Sequence, residues 1–595
     1  MEVHRMSNQD SALSRLLVTK PLDVLLHESQ ESGEHSLKRV LGPVNLITLG
    51  IGAIIGAGIF VLTGSAAANY AGPAIILSFV LAGIACVFAG LCYAEFASLI
   101  PIAGSAYTYG YATLGEFFAW IIGWDLILEY AFGAATVASG WSGYLLSLLN
   151  DFGIHIPPQL TGAPGTALVL YQDNWQHFDR IKATLETSMT ADQIAQLPHM
   201  VASFNLVAFL AILGITTILV IGIKESANFN SAIVVVKLTI VMIFIGIVGY
   251  FVFTHPDETI TKNWKHFIPP NLGEFGKFGW SGIARAASVI FFAYIGFDAV
   301  STAAQEARNP QKDMPIGIMG SLFICTILYI IVAGLLTAVV PYTSLNVSDP
   351  VAVGIDATGI KWGGYLVKLG AIFGLGTVML VMMLGQSRVF YSMAHDGLLP
   401  KWAGEVHPRF RTPWISTIIV GGFVAFFGAL LPINILGELV SIGTLLAFVI
   451  VCAGVWVLRR QRPDLDRPFK TPWVPFVPIM GIVVSSALML FLPLDTWLRL
   501  IIWLVIGLTT YFSYGRYHSK LARGLQSRSK LIVVGATLNI LSSLAAIWAY
   551  SYIEIHKIVA EQTATFDVAK LTLYVSAAVL AIGVVLMTVG SVRKR

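Results

Sequence analysis

Residues Gly50 to Phe60 read GIGAIIGAGIF and set four glycines (Gly50, Gly52, Gly56 and Gly58) inside an apolar stretch otherwise long enough to cross a membrane. Glycine weakens a helix where nothing compensates, so the stretch predicts a span broken in its middle. In hydrocarbon, unwound backbone is tolerated only where it is buried in protein or lines a cavity, because free N–H and C=O groups find no water there. The break is therefore a candidate binding site. Phe291 to Ser301 (FFAYIGFDAVS) repeats the pattern, with Gly296 and Asp298 inside an apolar run. Paired broken spans at matching positions of two halves point to the site of a secondary transporter. The spacing of Gly52 and Gly56 is also that of a GxxxG packing face, which needs no ligand.

Working outward, apolar runs of about 20 residues recur along the whole chain. Of its 595 residues 56% are hydrophobic and 12% charged, and the mean hydropathy is +0.76. The chain reads as an all-α membrane protein with fourteen spans, near 44–69, 73–99, 116–149, 203–223, 229–253, 281–303, 316–340, 365–388, 414–431, 435–459, 474–493, 496–514, 531–553 and 569–590. Most of its 37 Lys and Arg collect in alternate loops, among them Arg459, Arg460, Arg462, Arg467 and Lys470 in one and Arg516, Lys520, Arg523, Arg528 and Lys530 in another. That asymmetry predicts both termini in the cytoplasm and an even number of spans in the plasma (inner) membrane. The net charge of +4 mostly follows from this bias and implies no nucleic-acid partner.

The segment 1–43 is polar, shows no signal-peptide pattern, and carries an amphipathic piece around Leu16 to Leu26 suited to the inner leaflet. The four cysteines (Cys86, Cys92, Cys325 and Cys452) lie within predicted spans at no metal-ligand spacing and read as small core residues. No cofactor or metal is expected. Residues 150–202 form a long external loop, with a short helix expected near Glu186 to Gln196. The proline-rich stretch Arg462 to Pro478 reads as a connector between ten spans and four more.

Four stretches carry a resemblance: LGPVNLITLGIGAIIGAGIFVLTG (Leu41 to Gly64), GIKESANFNSAIVVVK (Gly222 to Lys237), FFAYIGFDAVSTAAQEARNPQKDMP (Phe291 to Pro315) and RVFYSMAHDGLLP (Arg388 to Pro400). Together they resemble the cationic amino acid transporter family of the amino acid-polyamine-organocation superfamily, in its bacterial branch. The resemblance spans roughly 40 to 515. It implies a core of two five-span inverted repeats, 44–253 and 281–459, with substrate held between unwound spans 1 and 6. The segment 474–595 then adds four spans and a short cytoplasmic tail. Animal members have fourteen spans whereas many bacterial relatives stop at twelve.

A zwitterionic amino acid needs donors for its carboxylate and acceptors for its ammonium, and a broken helix offers both from its backbone. The N–H groups of Gly56, Ala57 and Gly58, at the positive end of the second half-helix, suit the carboxylate. The resemblance places the ammonium on the carbonyls of Ile54, Phe292, Ala293 and Ile295. It also matches Lys237 to a span 5 lysine that, in proton-driven relatives, replaces the metal ion bridging spans 1 and 8 in sodium-driven ones. A proton is then the coupling ion.

Lys237 lies about nine residues, or roughly 13 Å at 1.5 Å per residue, into its span. A lysine so deep is costly unless it is paired or neutral. Read without the resemblance, it is equally a structural cation tying span 5 to span 1. Asp125 and Glu129 share one helical face at i, i+4 and form a further proton-coupling pair, with Glu129 the expected relay partner of Lys237 and Asp125 the more structural of the two. Glu129 is alternatively a hydrogen-bond partner at an unwound helix end. Asp298 follows the second break and either caps it or senses substrate. Met382 falls where relatives that carry long cationic substrates have a small residue, which favours small or medium neutral amino acids over arginine and lysine; it also fits plain core filling.

The function expected is secondary active, proton-coupled symport of an amino acid across the lipid bilayer. Exchange without proton coupling, transport of arginine or lysine, and a non-transporting sensor are the alternatives. No HExxH and no convincing nucleophile with a base is present, so an enzyme is not expected.

Overall fold

The structure, a computed structural model, describes residues 16–21, 25, 41–102, 104–172, 174–178, 181, 185, 188–221, 227–410, 412–521, 530–556 and 564–592. Most of the predicted segment 1–43, and residues 222–226 of the motif preceding Lys237, lie outside these. Among the described residues eight helical stretches are long and apolar enough to cross a membrane; the first, Pro43–Leu99, is 57 residues long and takes in the predicted spans 1 and 2. Shorter apolar helices follow at Leu206–Ile221, Trp414–Leu430, Phe476–Phe491, Ile532–Ser543 and Val575–Met587. The architecture is an all-α bundle of apolar helices.

Several helices start where proline sets the backbone. Pro432 (φ −59°) precedes Ile433–Gln461 and Pro493 (φ −54°) precedes Leu494–Thr510. Proline lacks an N–H, and the first turn of a helix has no intrahelical partner for one. Within the bundle the helices approach at small residues. A Cβ on Gly421, Gly454 or Gly507 would strike Thr216, Thr113 or Trp124. Close backbone approach of this kind holds helices together where hydrocarbon supplies no hydrophobic drive between them. Large apolar side chains such as Phe253, Phe323 and Leu490 stand exposed on the outside, as a lipid-facing surface allows. All four cysteines are free and buried.

The loop after predicted span 3 is more ordered than its sequence suggests. Its expected helix is Ala191–Gln196, capped by Thr190 and Gln193 acting reciprocally. Beside it stands an antiparallel sheet of order β2-β1-β3, built from β1 Ala167–Tyr171, β2 Asn174–His177 and β3 His199–Val201. Val169, Ile181 and Leu185 give it a small core of its own. These strands of three to five residues carry too little periodicity to be read without their pairing.

The described part of the N-terminal segment packs against the bundle. The Lys20 N–H donates to the Tyr111 carbonyl at 3.0 Å, the Val18 carbonyl accepts the Glu116 N–H at 3.0 Å, and Leu25 is buried. Residues 18–21 are not helical.

Candidate substrate site at two broken helices

The first predicted break is present. Helix Pro43–Ile54 stops at Ile55, which turns extended (φ −71°, ψ 94°), and a wide helical turn resumes at Gly58–Leu62. Gly56, Ala57 and Gly58 thus open the second half-helix, where N–H groups lack intrahelical partners. The second break matches it: helix Gly279–Ile290 tightens into the 3-10 turn Phe291–Tyr294, Ile295 is extended, and Gly296 sits at φ +119°. Only glycine adopts that conformation freely, and a side chain at 296 would also press on the Ala53 backbone at 2.8 Å. A Cβ on Gly58 would collide with Ala293. The two breaks therefore lie directly against each other. Ile54, Ala57, Phe292, Ala293, Ile295 and Met382 are all buried, so the site is occluded from water.

Side chains from neighbouring spans satisfy the freed carbonyls. The Lys237 amine donates to Gly52 O at 2.8 Å and Ile55 O at 3.2 Å, and its stem runs past Gly374 on the helix Lys361–His395. Lys237 thus sits between the first break and that helix. The Tyr329 hydroxyl, on the helix Pro310–Val339, lies 2.6 Å from Ile54 O and 2.8 Å from Ala293 O and joins the two breaks. Sequence reading passed Tyr329 over, although a hydroxyl inside an apolar run must find an acceptor and so signals one.

The acids are arranged differently from the expected relay. Asp298 Oδ1 accepts the Gly296 N–H at 3.1 Å, capping the second break, and its other oxygen lies 3.5 Å from the Tyr130 hydroxyl. Glu129 faces Asp298 and Thr444. Lys237 and Glu129 are not brought together; the amine is turned onto backbone carbonyls instead. Asp125 is buried, with neither carboxylate oxygen hydrogen-bonded among the described residues. Met382 packs its sulfur against Gly133 and so holds the helix Lys361–His395 against Gly133–Asp151.

Both ends of the site are closed. On the side of the three-stranded sheet, the Tyr144 hydroxyl donates to Phe60 O at 2.6 Å, and the short helix Pro350–Asp356 packs over the resumed first helix. Buried Lys368 ties that short helix down, pairing with Asp151 at 2.7 Å and Asp356 at 3.3 Å. On the opposite side Arg388 reaches Glu306 at 3.8 Å. Glu95, 1% exposed, takes a bidentate contact from Arg459 (2.9 and 2.8 Å), an ion pair with Arg467 (3.2 Å) and the Thr471 N–H (2.8 Å). The proline-rich connector is thereby bolted to the helix Ile75–Leu99.

Residues 41–513 match the amino acid permease family. The chain is 45% identical to the branched-chain amino acid permease BcaP of Bacillus subtilis over 491 residues, 82% of this chain and 96% of that protein. It is 44% identical to the methylthioribose transporter of the same organism over 510 residues, covering 86% of this chain and 100% of the relative. With the cationic amino acid transporter 4, vacuolar, of Arabidopsis thaliana it shares 35% identity over 455 residues, 76% and 68% of the two chains. With occluded paired helix breaks, an all-α apolar bundle and this family match on one chain, the protein belongs to the amino acid permease family and is a multi-pass membrane transporter of amino acids.

Proposed function

We propose that the protein is a proton-coupled symporter of small or medium neutral amino acids, working by alternating access. The observation that carries this is the Lys237 amine on the Gly52 and Ile55 carbonyls, a monovalent cation set at the first break where its charge state and the local backbone are linked. In this reading the N–H groups of Gly56, Ala57 and Gly58 take the carboxylate, and the carbonyls of Ile54, Phe292, Ala293 and Ile295 take the ammonium. Asp125, Glu129 and Asp298 respond to the site's charge, and Met382 limits the pocket's length. Spans 1, 2, 6 and 7, drawn from both five-span repeats (44–253 and 281–459), rock against a scaffold of spans 3, 4, 8 and 9, with both termini on the cytoplasmic side of the plasma membrane. The name of the branched-chain permease supports leucine, isoleucine and valine beside alanine as substrates. That of the methylthioribose transporter supports a second reading, a thiosugar substrate.

The test is uptake into proteoliposomes of alanine, leucine, arginine, lysine and methylthioribose, with and without an inward proton gradient, for the native chain and Lys237→Ala. Gradient-driven accumulation of alanine or leucine that disappears in the variant is expected. Gradient-independent exchange, unaltered in the variant, refutes proton coupling through Lys237. Accumulation of methylthioribose alone refutes the substrate class.

A further inference from the structure

The motif RVFYSMAHDGLLP contains Asp396, which plays no part in the substrate site, yet three separate segments converge on it. Its carboxylate takes the Tyr107 hydroxyl at 2.7 Å and the Lys20 amine at 3.3 Å, and its carbonyl accepts the Lys520 N–H at 3.0 Å. Lys20 belongs to the N-terminal segment, Tyr107 to the short helix Ser105–Thr113, and Lys520 to the stretch that leaves the helix Leu494–Thr510. Both side chains of the ion pair are 13% exposed, so the pair is partly exposed at the rim of the junction.

The same three segments meet a second time at Glu116. Its carboxylate is fully buried and accepts hydroxyls from Tyr111 at 2.9 Å, from Tyr511 at 3.0 Å and from Ser519. Its N–H goes to Val18 O, while Tyr111 O receives the Lys20 N–H, so residues 18–20 lie along the end of the short helix like an added strand. The approach depends on Gly115 (φ +100°), where a Cβ would come within 2.6 Å of the Leu17 backbone. At its other end the short helix holds the second broken helix: the Ser301 hydroxyl donates to Ser105 at 2.9 Å, and both residues are buried.

We infer that residues 16–21 are a latch of this chain's own making, which clamps the helix Ser105–Thr113 over the Arg388–Glu306 end of the second broken helix and keeps that end of the substrate path shut. The inference rests on the alternating-access reading above for its consequence, but the clamp itself is a matter of contacts. Lys20 is its releasable part: its ion pair with Asp396 lies at the rim, whereas the hydroxyls on Glu116 bond to a fully buried carboxylate. Loss of a partly exposed pair is worth about two- to fivefold in a local opening equilibrium. Arginine at 20 keeps the charge and reach, whereas alanine removes both.

The test is amide hydrogen exchange of the peptide covering 104–115 in nanodiscs, for the full-length native protein, Lys20→Ala, Lys20→Arg and Tyr107→Phe, run beside alanine counterflow in proteoliposomes. Expected are exchange about two- to fivefold faster in Lys20→Ala and Tyr107→Phe, native exchange in Lys20→Arg, and faster counterflow in the two opened variants. Unchanged exchange in Lys20→Ala and Tyr107→Phe, or an arginine variant as open as the alanine one, overturns the latch. Absence of any alanine transport by the native chain refutes the functional reading instead, and the exchange data then still decide the clamp.

Discussion

Removing the hydroxyl of Tyr329 should strengthen substrate binding while slowing the transport cycle. In the occluded structure that hydroxyl is within hydrogen-bond reach of both Ile54 O and Ala293 O, and the residue is 0% exposed. A hydroxyl carries one proton, so at any instant it satisfies one of the two carbonyls. Tyr329→Phe leaves that carbonyl buried without a donor, at about 1–3 kcal/mol. The variant's empty form is destabilised by that amount. A substrate ammonium has three donors and, placed on the same carbonyls, restores what was lost. The difference appears in binding: about 1.4 kcal/mol is tenfold in Kd, so alanine should bind roughly 5- to 150-fold tighter to the variant. The empty transporter, deprived of its stand-in donor, should occlude and return more slowly. Binding by isothermal titration and thermal unfolding with and without alanine, in one detergent, measure both effects. An unchanged Tm of the empty protein, or weaker alanine binding, refutes the idea that hydroxyl and ammonium share these acceptors. In that event Tyr329 contributes to the substrate's own binding set.

Two further substitutions probe other parts of the arrangement. Met382→Ser shortens the side chain between Gly133 and the helix Lys361–His395; each excluded methylene is worth about 10- to 200-fold in discrimination, so arginine uptake should rise above background while alanine uptake persists, and a variant still blind to arginine in a radiolabel assay removes Met382 from the selectivity argument. Glu95→Gln strips the charge opposing Arg459 and Arg467 inside the bundle, and breaking a buried pair from one side costs about 3–5 kcal/mol, so a clear fall in Tm in nanodiscs is expected, whereas an unchanged Tm shows the connector is held by its packing alone.

Much of the site was legible before any fold was known, because its physical signal is local. Glycines cluster from 50 to 58 and recur at 296 inside apolar runs, which marked both stretches as candidate breaks, although Gly50 and Gly52 stay within the helix Pro43–Ile54. A lysine deep in an apolar run cannot stand without acceptors, so Lys237 was marked by cost. Apolar runs of spanning length likewise determine the all-α membrane class. Which acceptors Lys237 would find was a tertiary matter: sequence offered Glu129 as relay partner, but the packing turned the amine onto the Gly52 and Ile55 carbonyls and set Glu129 against Asp298. Tyr329, Lys368 and Glu95 belong to the same class, since their roles depend on partners 12 to 376 residues away in the chain. The short strands of the loop and the docking of residues 18–20 on Glu116 and Tyr111 complete it. Periodicity and composition report what each segment needs from its surroundings; which groups meet those needs depends on how helices cross, and that is decided only when the whole bundle packs.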